Sequence, residues 1–269
     1  MAANETSVHT DIDTSSGMPL GIDFGGSGIK GAAVDLERGD FAGARVKIKT
    51  PKKSTPDAVA DVVVQLIDRL MEKHPDATGP VGVTVPGIVQ HGIVRSAANI
   101  DKSWIDVDAD EIFTKASGRD VHVMNDADAA GLAEARYGAA REQKKGLAIL
   151  TTLGTGIGSA FIHDGVLVPN SELGHLEIDG HVAEKRAASS VMEDEDLSWE
   201  EWAARLTVYY TRVERLFTPD LFVVGGGVSK DAAEFLHLID IRTPIVAAQL
   251  QNRAGIIGAA LVAQGLLGR

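Results

Sequence analysis

The chain has 269 residues, of which 44% are hydrophobic and 24% are charged, as in folded globular proteins and unlike disordered or collagen-like chains. Its 26 Lys and Arg residues stand against 38 Asp and Glu residues, so the net charge is −12 and we expect no nucleic-acid partner. The absence of cysteine excludes disulfides, catalytic thiols and thiolate metal sites.

The first eighteen residues predict a polar tail. They contain neither Lys nor Arg, and they lack the apolar run of a signal peptide. Nowhere does the sequence approach the 18 or more consecutive apolar residues of a membrane span. We therefore expect a cytoplasmic protein without a membrane partner.

The predicted elements begin with a strand at 19–24, a glycine-rich turn and two further apolar runs, GIKGAAVDL and RVKIKTP. A helix is predicted next, with Thr55 as a hydroxyl N-cap and Pro56 at its first position. Its apolar residues, from Val59 to Met71, follow helical spacing, and His74-Pro75 ends it. The segment VGVTVP predicts a short buried strand.

A second unit repeats this order. The run VHVM at 121–124 predicts a strand, and an alanine-rich helix begins at about Asp126. The segment GLAILTTLGTGIGSAFIHDGVLVPN then repeats the strand, glycine turn and further strands of the opening. An offset of about 130 residues is too long for a solenoid repeat and indicates two duplicated domains.

The remaining segments complete an α/β pattern. Ser198 and Glu201 form a predicted capping box for a helix to about Phe217, preceded by a solvated acidic run at 193–196. A strand, glycine turn and helix start follow at 221–229, and an apolar helix at 253–267. The expected organisation is a tail at 1–18, a small domain at 19–125, a large domain at 126–252, and a C-terminal helix within 253–269 that returns to the small domain.

Three glycine-rich turns follow predicted strands, in GIDFGGSGIK, TTLGTGIG and VVGGGVS. Glycine allows backbone N–H groups to approach a phosphate closely, and successive N–H groups form an anion-binding concavity. One such turn would be weak evidence, but three together favour a phosphate site. The Walker glycine pattern is absent.

The ordered motifs GIDFGGSGIK, NDADAAG, TLGTGIG, ELGH and GGG resemble those of the ROK sugar kinases in the actin-like ATPase superfamily. More narrowly, TPKKSTP, SAANIDKSW, LVPNSELGHLEIDG and LSWEEWAARL resemble segments of actinobacterial polyphosphate glucokinases and glucomannokinases. The resemblance implies a two-domain actin-like ATPase (ribonuclease H-like) fold with a cleft between the domains. It implies transfer of the terminal phosphoryl of polyphosphate or ATP to the 6-hydroxyl of glucose, with mannose as a second candidate acceptor, and a homodimer.

By this resemblance Asp126 is the general base, although a plain helix N-cap is the alternative from its position alone. Asp128 is expected to be a first-turn helix acid. The resemblance implies these sugar ligands: Asn99, Asn125, Asp126, Glu172, His175 and Glu184.

Asp23 is either a water-mediated Mg²⁺ ligand or a turn-stabilising residue. The phosphate-binding residues implied by the resemblance are Asp23, Gly25, Gly26, Ser27, Gly28, Lys30, Thr152, Gly154, Thr155, Gly156, Gly225, Gly226 and Gly227. The cysteine-rich zinc motif of many ROK proteins is missing from residues 178–196, so the expected cofactor is Mg²⁺ and no zinc is expected.

Two other functions stay open from the sequence: an ATP-only kinase for another hexose or an N-acetylhexosamine, and a sugar-sensing protein without catalysis. A polyanionic donor would also require locally concentrated positive charge. The sequence offers two basic clusters, at Lys47, Lys49, Lys52 and Lys53 and at Arg141, Lys144 and Lys145. Each is either a set of solvated loop charges or part of a basic path from the cleft.

Overall fold

The computed structural model describes residues 17–97 and 100–267. Its strands are β1 (Leu20–Gly25), β2 (Gly28–Asp35), β3 (Asp40–Phe41), β4 (Val46–Ile48), β5 (Val81–Val85), β6 (Val89–Gln90), β7 (Ile93–Val94), β8 (Val121–Asn125), β9 (Leu147–Leu153), β10 (Ile157–His163), β11 (Val166–Val168), β12 (Glu177–Ile178), β13 (His181–Val182), β14 (Leu221–Gly225) and β15 (Ile245–Ala247). Its α-helices are α1 (Pro56–Lys73), α2 (Ala109–Ser117), α3 (Asp126–Tyr137), α4 (Glu184–Ala187), α5 (Ser189–Asp194), α6 (Trp199–Phe217), α7 (Ala232–Phe235) and α8 (Ala254–Ala263).

Two sheets share one arrangement. In the first sheet, of order β3-β2-β1-β5-β8 with β4 also paired to β2, the β1–β2 hairpin is antiparallel and β1, β5 and β8 are parallel. In the second sheet, of order β11-β10-β9-β14-β15, β9, β10 and β11 are antiparallel and β9, β14 and β15 are parallel. The predicted α/β class and the duplicated strand meander are confirmed.

Helices separate and cover the sheets. Helix α1 packs on one face of the first sheet, α8 packs on its other face, and α3 lies against both α8 and the second sheet. Helix α6 covers the far face of the second sheet. Helix α8, AGIIGAALVA, is apolar all round because it lies between layers on all sides.

Glycines permit the close approach of α8 to the first sheet. A Cβ on Gly21 would overlap the Ile256 carbonyl, and a Cβ on Gly82 would overlap the Ala259 carbonyl. Both neighbours are backbone atoms of α8, so the helix could not remain in place above a larger residue.

Helix boundaries agree closely with the sequence predictions. Helix α1 begins at Pro56 and ends before His74, and α6 begins with the Ser198–Glu201 capping box and ends at Phe217. Thr55 is the N-cap residue, as predicted, but its hydroxyl makes no capping hydrogen bond with any described residue. Pro56 begins the helix through its fixed φ angle. Helix α8 is shorter than the predicted 253–267 segment. Every helix in the described ranges is too short or too polar to cross a bilayer.

Candidate active site

The first glycine turn joins β1 to β2 with a two-residue loop, Gly26-Ser27, between the paired Gly25 and Gly28. The Thr50 hydroxyl donates a 2.6 Å hydrogen bond to the Gly25 carbonyl. This contact fixes the base of the turn and leaves its backbone N–H groups at the end of the hairpin. The predicted turn is thus present, and it is supported by Thr50, a residue that was not predicted to contribute to it.

Asp23 lies just before this turn, on the central strand of the sheet. Its Oδ1 accepts a hydrogen bond of 3.1 Å from the Thr84 hydroxyl, and its Oδ2 lies 3.6 Å from Lys30 Nζ. Thr84 is the polar residue within the otherwise apolar VGVTV strand, which was the available sequence signal for its role. Asp23 and Lys30 are therefore brought together beside the turn, as the sequence predicts.

Asn125 begins helix α3 as its N-cap. Its Oδ1 accepts hydrogen bonds from the N–H groups of Ala127, at 2.8 Å, and Asp128, at 3.0 Å. Its Nδ2 donates to the Gly87 carbonyl at 3.0 Å. Only one amide N–H is then left for a sugar hydroxyl, so Asn125 chiefly fixes the start of the helix.

Asp126 follows the N-cap Asn125 as the first residue of α3, so Asp126 is not itself the N-cap. The residue is half-buried. The Ala127 N–H donates to its Oδ1 at 2.9 Å. Burial, together with the negative charges of Asp23 and Glu172, raises the pKa of Asp126 to about 6. Such a carboxylate is mostly ionised at neutral pH and is still able to accept a proton.

Asp128 is also in the first turn of α3, but its side chain is 1% exposed. Its Oδ2 accepts a 2.7 Å hydrogen bond from the Asn170 N–H, and its Oδ1 has no partner among the described residues. Burial raises the pKa of Asp128 to about 7 although the Asn170 hydrogen bond lowers it. Its position agrees with the predicted first-turn acid; its contact with Asn170 was not foreseen.

The segment that carries Glu172 and His175 is held by Asn170 and Ser159. The Asn170 side chain accepts from the Val89 N–H at 3.0 Å and donates to the Val89 carbonyl at 2.9 Å. The Ser159 hydroxyl donates to the Ser171 carbonyl at 2.8 Å and accepts from the Leu173 N–H at 3.0 Å. Glu172, in this segment, lies close enough to Asp126 for its negative charge to raise the pKa of Asp126.

Glu172 and His175 lie near each other, with 3.9 Å between Glu172 Oε2 and His175 Nδ1. Burial raises the pKa of Glu172, His175 lowers it, and the charge of Glu184 raises it. Glu184, the first residue of α4, lies 3.1 Å from Lys185 Nζ through its Oε1. The structure therefore brings Glu184 to this group despite the different sequence of the 178–196 segment.

The second and third glycine turns lie side by side at the ends of the parallel strands β9 and β14, where Thr152 pairs with Gly225. The Ser190 hydroxyl donates to the Thr155 carbonyl at 3.0 Å, and the Ser189 hydroxyl to the Gly154 carbonyl at 3.1 Å. Gly226 has φ +84°, and a Cβ there would overlap Leu153. The backbone atoms of both turns therefore lie at the same edge of the second sheet.

A Cβ on Gly156 would overlap Glu184 Oε2. Glu184 therefore lies against the second turn as well as near Glu172. It is thus located between a predicted phosphate-binding turn and a predicted sugar ligand.

Of the predicted sugar ligands, Asn99 lies outside the described residues. No group of three or more His, Cys, Asp or Glu residues suited to a metal occurs within residues 17–97 and 100–267.

Comparison with known proteins identifies the family of this chain. The chain matches the ROK family over residues 19–189. It is 51% identical over 243 residues to polyphosphate glucokinase of Mycobacterium tuberculosis, covering 90% of this chain and 89% of that protein. It is 54% identical to the inorganic polyphosphate/ATP-glucomannokinase of an Arthrobacter strain, with a TM-score of 0.87 over 92% of this chain and 98% of that one.

A more distant relative is a ROK glucokinase of Streptomyces griseus, solved with glucose and AMPPNP. It is 25% identical, with a TM-score of 0.76 over 93% of this chain and all of that one. The family match, the shared fold and the glycine turns around a carboxylate-lined site support one conclusion. The chain belongs to the ROK family.

Proposed function

We propose that the protein is a kinase that transfers the terminal phosphoryl of inorganic polyphosphate or ATP to the 6-hydroxyl of glucose. The observation that carries this proposal is the position of Asp126. It begins α3 with a raised pKa, close enough to Asp23 beside the first glycine turn and to Glu172 for both charges to affect it. The names of the relatives at 51% and 54% identity support the same activity.

The proposed reaction needs little covalent chemistry from the protein. The glucose 6-oxygen forms a bond to the terminal phosphorus while the bond to the remaining phosphate chain breaks. The transition state is loose, so positioning and charge stabilisation dominate catalysis. Asp126 accepts the hydroxyl proton as the new bond forms, and backbone N–H groups of the glycine turns bind the phosphoryl oxygens.

Asp23 and Lys30 are the charged groups beside the first turn. Mg²⁺ commonly uses one or two carboxylates together with substrate phosphates and water, and a single carboxylate at Asp23 fits that pattern. When bound, Mg²⁺ neutralises charge on the phosphates. Lys30 offers a second positive group to the same oxygens, and its 3.6 Å separation from Asp23 keeps it at the turn.

For the sugar, we propose Glu172, His175 and Glu184 as ligands, with one N–H of Asn125 and with Asn99. Carboxylates and imidazole offer the acceptors and donors that pyranose hydroxyls require. Mannose is a proposed second acceptor, because the Arthrobacter relative is named a glucomannokinase. A homodimer in the cytoplasm is also proposed, on the resemblance alone.

The test is formation of glucose 6-phosphate by the purified protein with long-chain polyphosphate and then ATP as sole donor. We expect product with both donors and glucose, and slower product formation with mannose. If product formed with ATP but not with polyphosphate, the protein would be an ATP-only kinase. If product formed only with another hexose, that hexose and not glucose would be the acceptor. Glucose binding without turnover under either donor would indicate a sugar sensor and contradict the proposal.

A further inference from the structure

Strand β4 and the segment after it contain an unusual concentration of positive charge. Residues 41–56 include no acidic residue, in a chain of net charge −12. The basic residues there are all exposed: Arg45, Lys47, Lys49, Lys52 and Lys53. None of them forms an ion pair with another residue of the described ranges.

Strand register places part of this charge on the face of the sheet that carries Asp23. Asp23 pairs with Lys30 across β1 and β2, and Lys30 pairs with Lys47 across β2 and β4. Directly opposed residues of antiparallel strands point to the same face. Asp23, Lys30 and Lys47 therefore form a row on one face of the sheet. The alternate residues of β4 pack toward α1 on the opposite face.

Contacts join β4 to the first glycine turn. A Cβ on Gly28 would overlap Lys47 Cε, so the aliphatic part of Lys47 crosses the turn where only glycine leaves room. Extending the register by one residue sets Lys49 opposite Gly28, because Ile48 pairs with Ile29. Just beyond Lys49, Thr50 holds the Gly25 carbonyl.

The alternative cluster at residues 141–145 lies elsewhere. It precedes the start of β9 at Leu147, whereas the second glycine turn follows the end of β9 at Leu153. A strand of this length spans about 20 Å. The cluster does neighbour a strand that carries a glycine turn, but it lies at the opposite end of that strand, which favours its interpretation as solvated loop charges.

On the basis of the proposed function, we propose that Lys47 and Lys49 form an extended subsite for linear polyphosphate, binding phosphates beyond the one transferred. Arg45 continues the same alternation away from the turn. ATP has only three phosphates before its adenosine, whereas a long polyphosphate reaches every positive group in the row. Lysines on an edge strand also prevent pairing with other chains, and this second explanation predicts no effect on donor use.

The test compares Lys47→Ala/Lys49→Ala with Lys144→Ala/Lys145→Ala, which removes the same charge at the far end of β9. For each protein, KM and kcat are measured with long polyphosphate, tripolyphosphate and ATP. Polyphosphate binding is measured separately by equilibrium dialysis at two or more salt concentrations. Thermal unfolding of both double variants verifies that the fold is intact.

We expect the β4 double variant to raise KM for long polyphosphate several-fold, and by more than it raises KM for ATP or tripolyphosphate. The slope of log affinity for long polyphosphate against log salt should become shallower by about 1.5–2, since two fewer phosphates are neutralised and fewer counterions are released. The Lys144/Lys145 control should leave both quantities unchanged. An equal change for long and short donors, or none, would overturn the subsite. Failure of the unaltered protein to use polyphosphate would instead contradict the proposed function, and dialysis would still test the subsite.

Discussion

At the residue scale, the candidate site contains carboxylates for which burial disfavours the ionised form. Asp126, Asp128 and Glu172 all have raised pKa values, and burial is the largest cause for each. Asp126 differs from Asp128 because it remains half-exposed, whereas Asp128 is closed off beneath Asn170. This difference in exposure supports the proposal that Asp126, and not Asp128, is the proton acceptor.

The raised pKa of Asp126 predicts the acid limb of the pH profile. A general base must be ionised, so kcat/KM for glucose should fall as pH drops through about 6, approaching tenfold per unit below it. Initial rates at fixed saturating donor, between pH 5 and 8, measure this. The Asp128→Asn variant should keep the same limb. A flat profile down to pH 5 would mean that another group is the base.

Asp128 should limit stability at high pH. Its folded pKa of about 7 lies above the ordinary value of 3.8, so the unfolded chain loses this proton first and stability falls as pH rises between those values. Asp128→Asn keeps an acceptor for the Asn170 N–H without the buried charge. Urea unfolding should show that the variant is more stable than the parent at pH 8. This gain in stability should be much smaller at pH 4.

Asp57→Asn is the matched control, because Asp57 is an exposed acid in the first turn of α1. Removing its charge should slightly reduce stability at pH 8, since a negative charge in the first turn stabilises the helix. The two variants should thus change stability in opposite directions. A destabilised Asp128→Asn protein at pH 8 would contradict the buried-charge explanation.

At the element scale, long periodic segments were predictable and short ones were not. The apolar spacing of α1 and the capping box of α6 fixed both helices to within a residue. Strands β6, β7, β12 and β13 have two residues each and show no measurable alternation. Helix α2 was not predicted, although its sequence carries two signals, the Asp108 N-cap and Gly118 after its end.

Residues of the candidate site were predictable where a local motif marks them. They were not predictable where long-range tertiary contacts position them. The glycine turns and Asp23 followed from their positions at the ends of strands, and Asp126 and Glu172 from the resemblance of their motifs to those of the family. The two-way contact of Asn170 with Val89 joins residues 81 positions apart, and no local pattern predicts such a pair. The role of Asn125 as the cap beside Asp126 required the helix start to be placed within one residue.

The second glycine turn provides a test of Glu184 as a sugar ligand. A Cβ at Gly156 would overlap Glu184 Oε2, whereas a Cβ at Gly154 meets no atom within 4 Å. Gly156→Ala should therefore displace Glu184 and raise KM for glucose several-fold, more than Gly154→Ala does, while both affect the donor. Steady-state kinetics with each substrate varied in turn measures the difference. Equal glucose KM values in the two variants would remove Glu184 from the sugar site.

At the scale of the whole molecule, two sheets face each other across α3 and α8. Asp23 belongs to the first sheet, whereas Glu172 and His175 follow β11 of the second sheet and Glu184 follows the separate β12–β13 hairpin. We propose that residues 19–125 and 126–252 act as two domains and that glucose draws them together. Closure would exclude water from the phosphoryl group and limit its hydrolysis.

Closure predicts a smaller radius of gyration with glucose than without it. Small-angle X-ray scattering at saturating glucose measures the change, and galactose at the same concentration controls for added sugar. An unchanged radius with glucose bound, as verified by calorimetry on the same sample, would contradict a closing cleft.

The central claim is that Asp126 is the base for phosphoryl transfer to glucose, and Asp126→Asn tests it most directly. The amide keeps the size of the side chain and an acceptor for the Ala127 N–H but accepts no proton. Glucose affinity by calorimetry should stay close to that of the parent, while kcat with polyphosphate or ATP should fall by about 10²–10⁴-fold. A kcat near that of the parent, in a folded variant that binds glucose, would contradict the account.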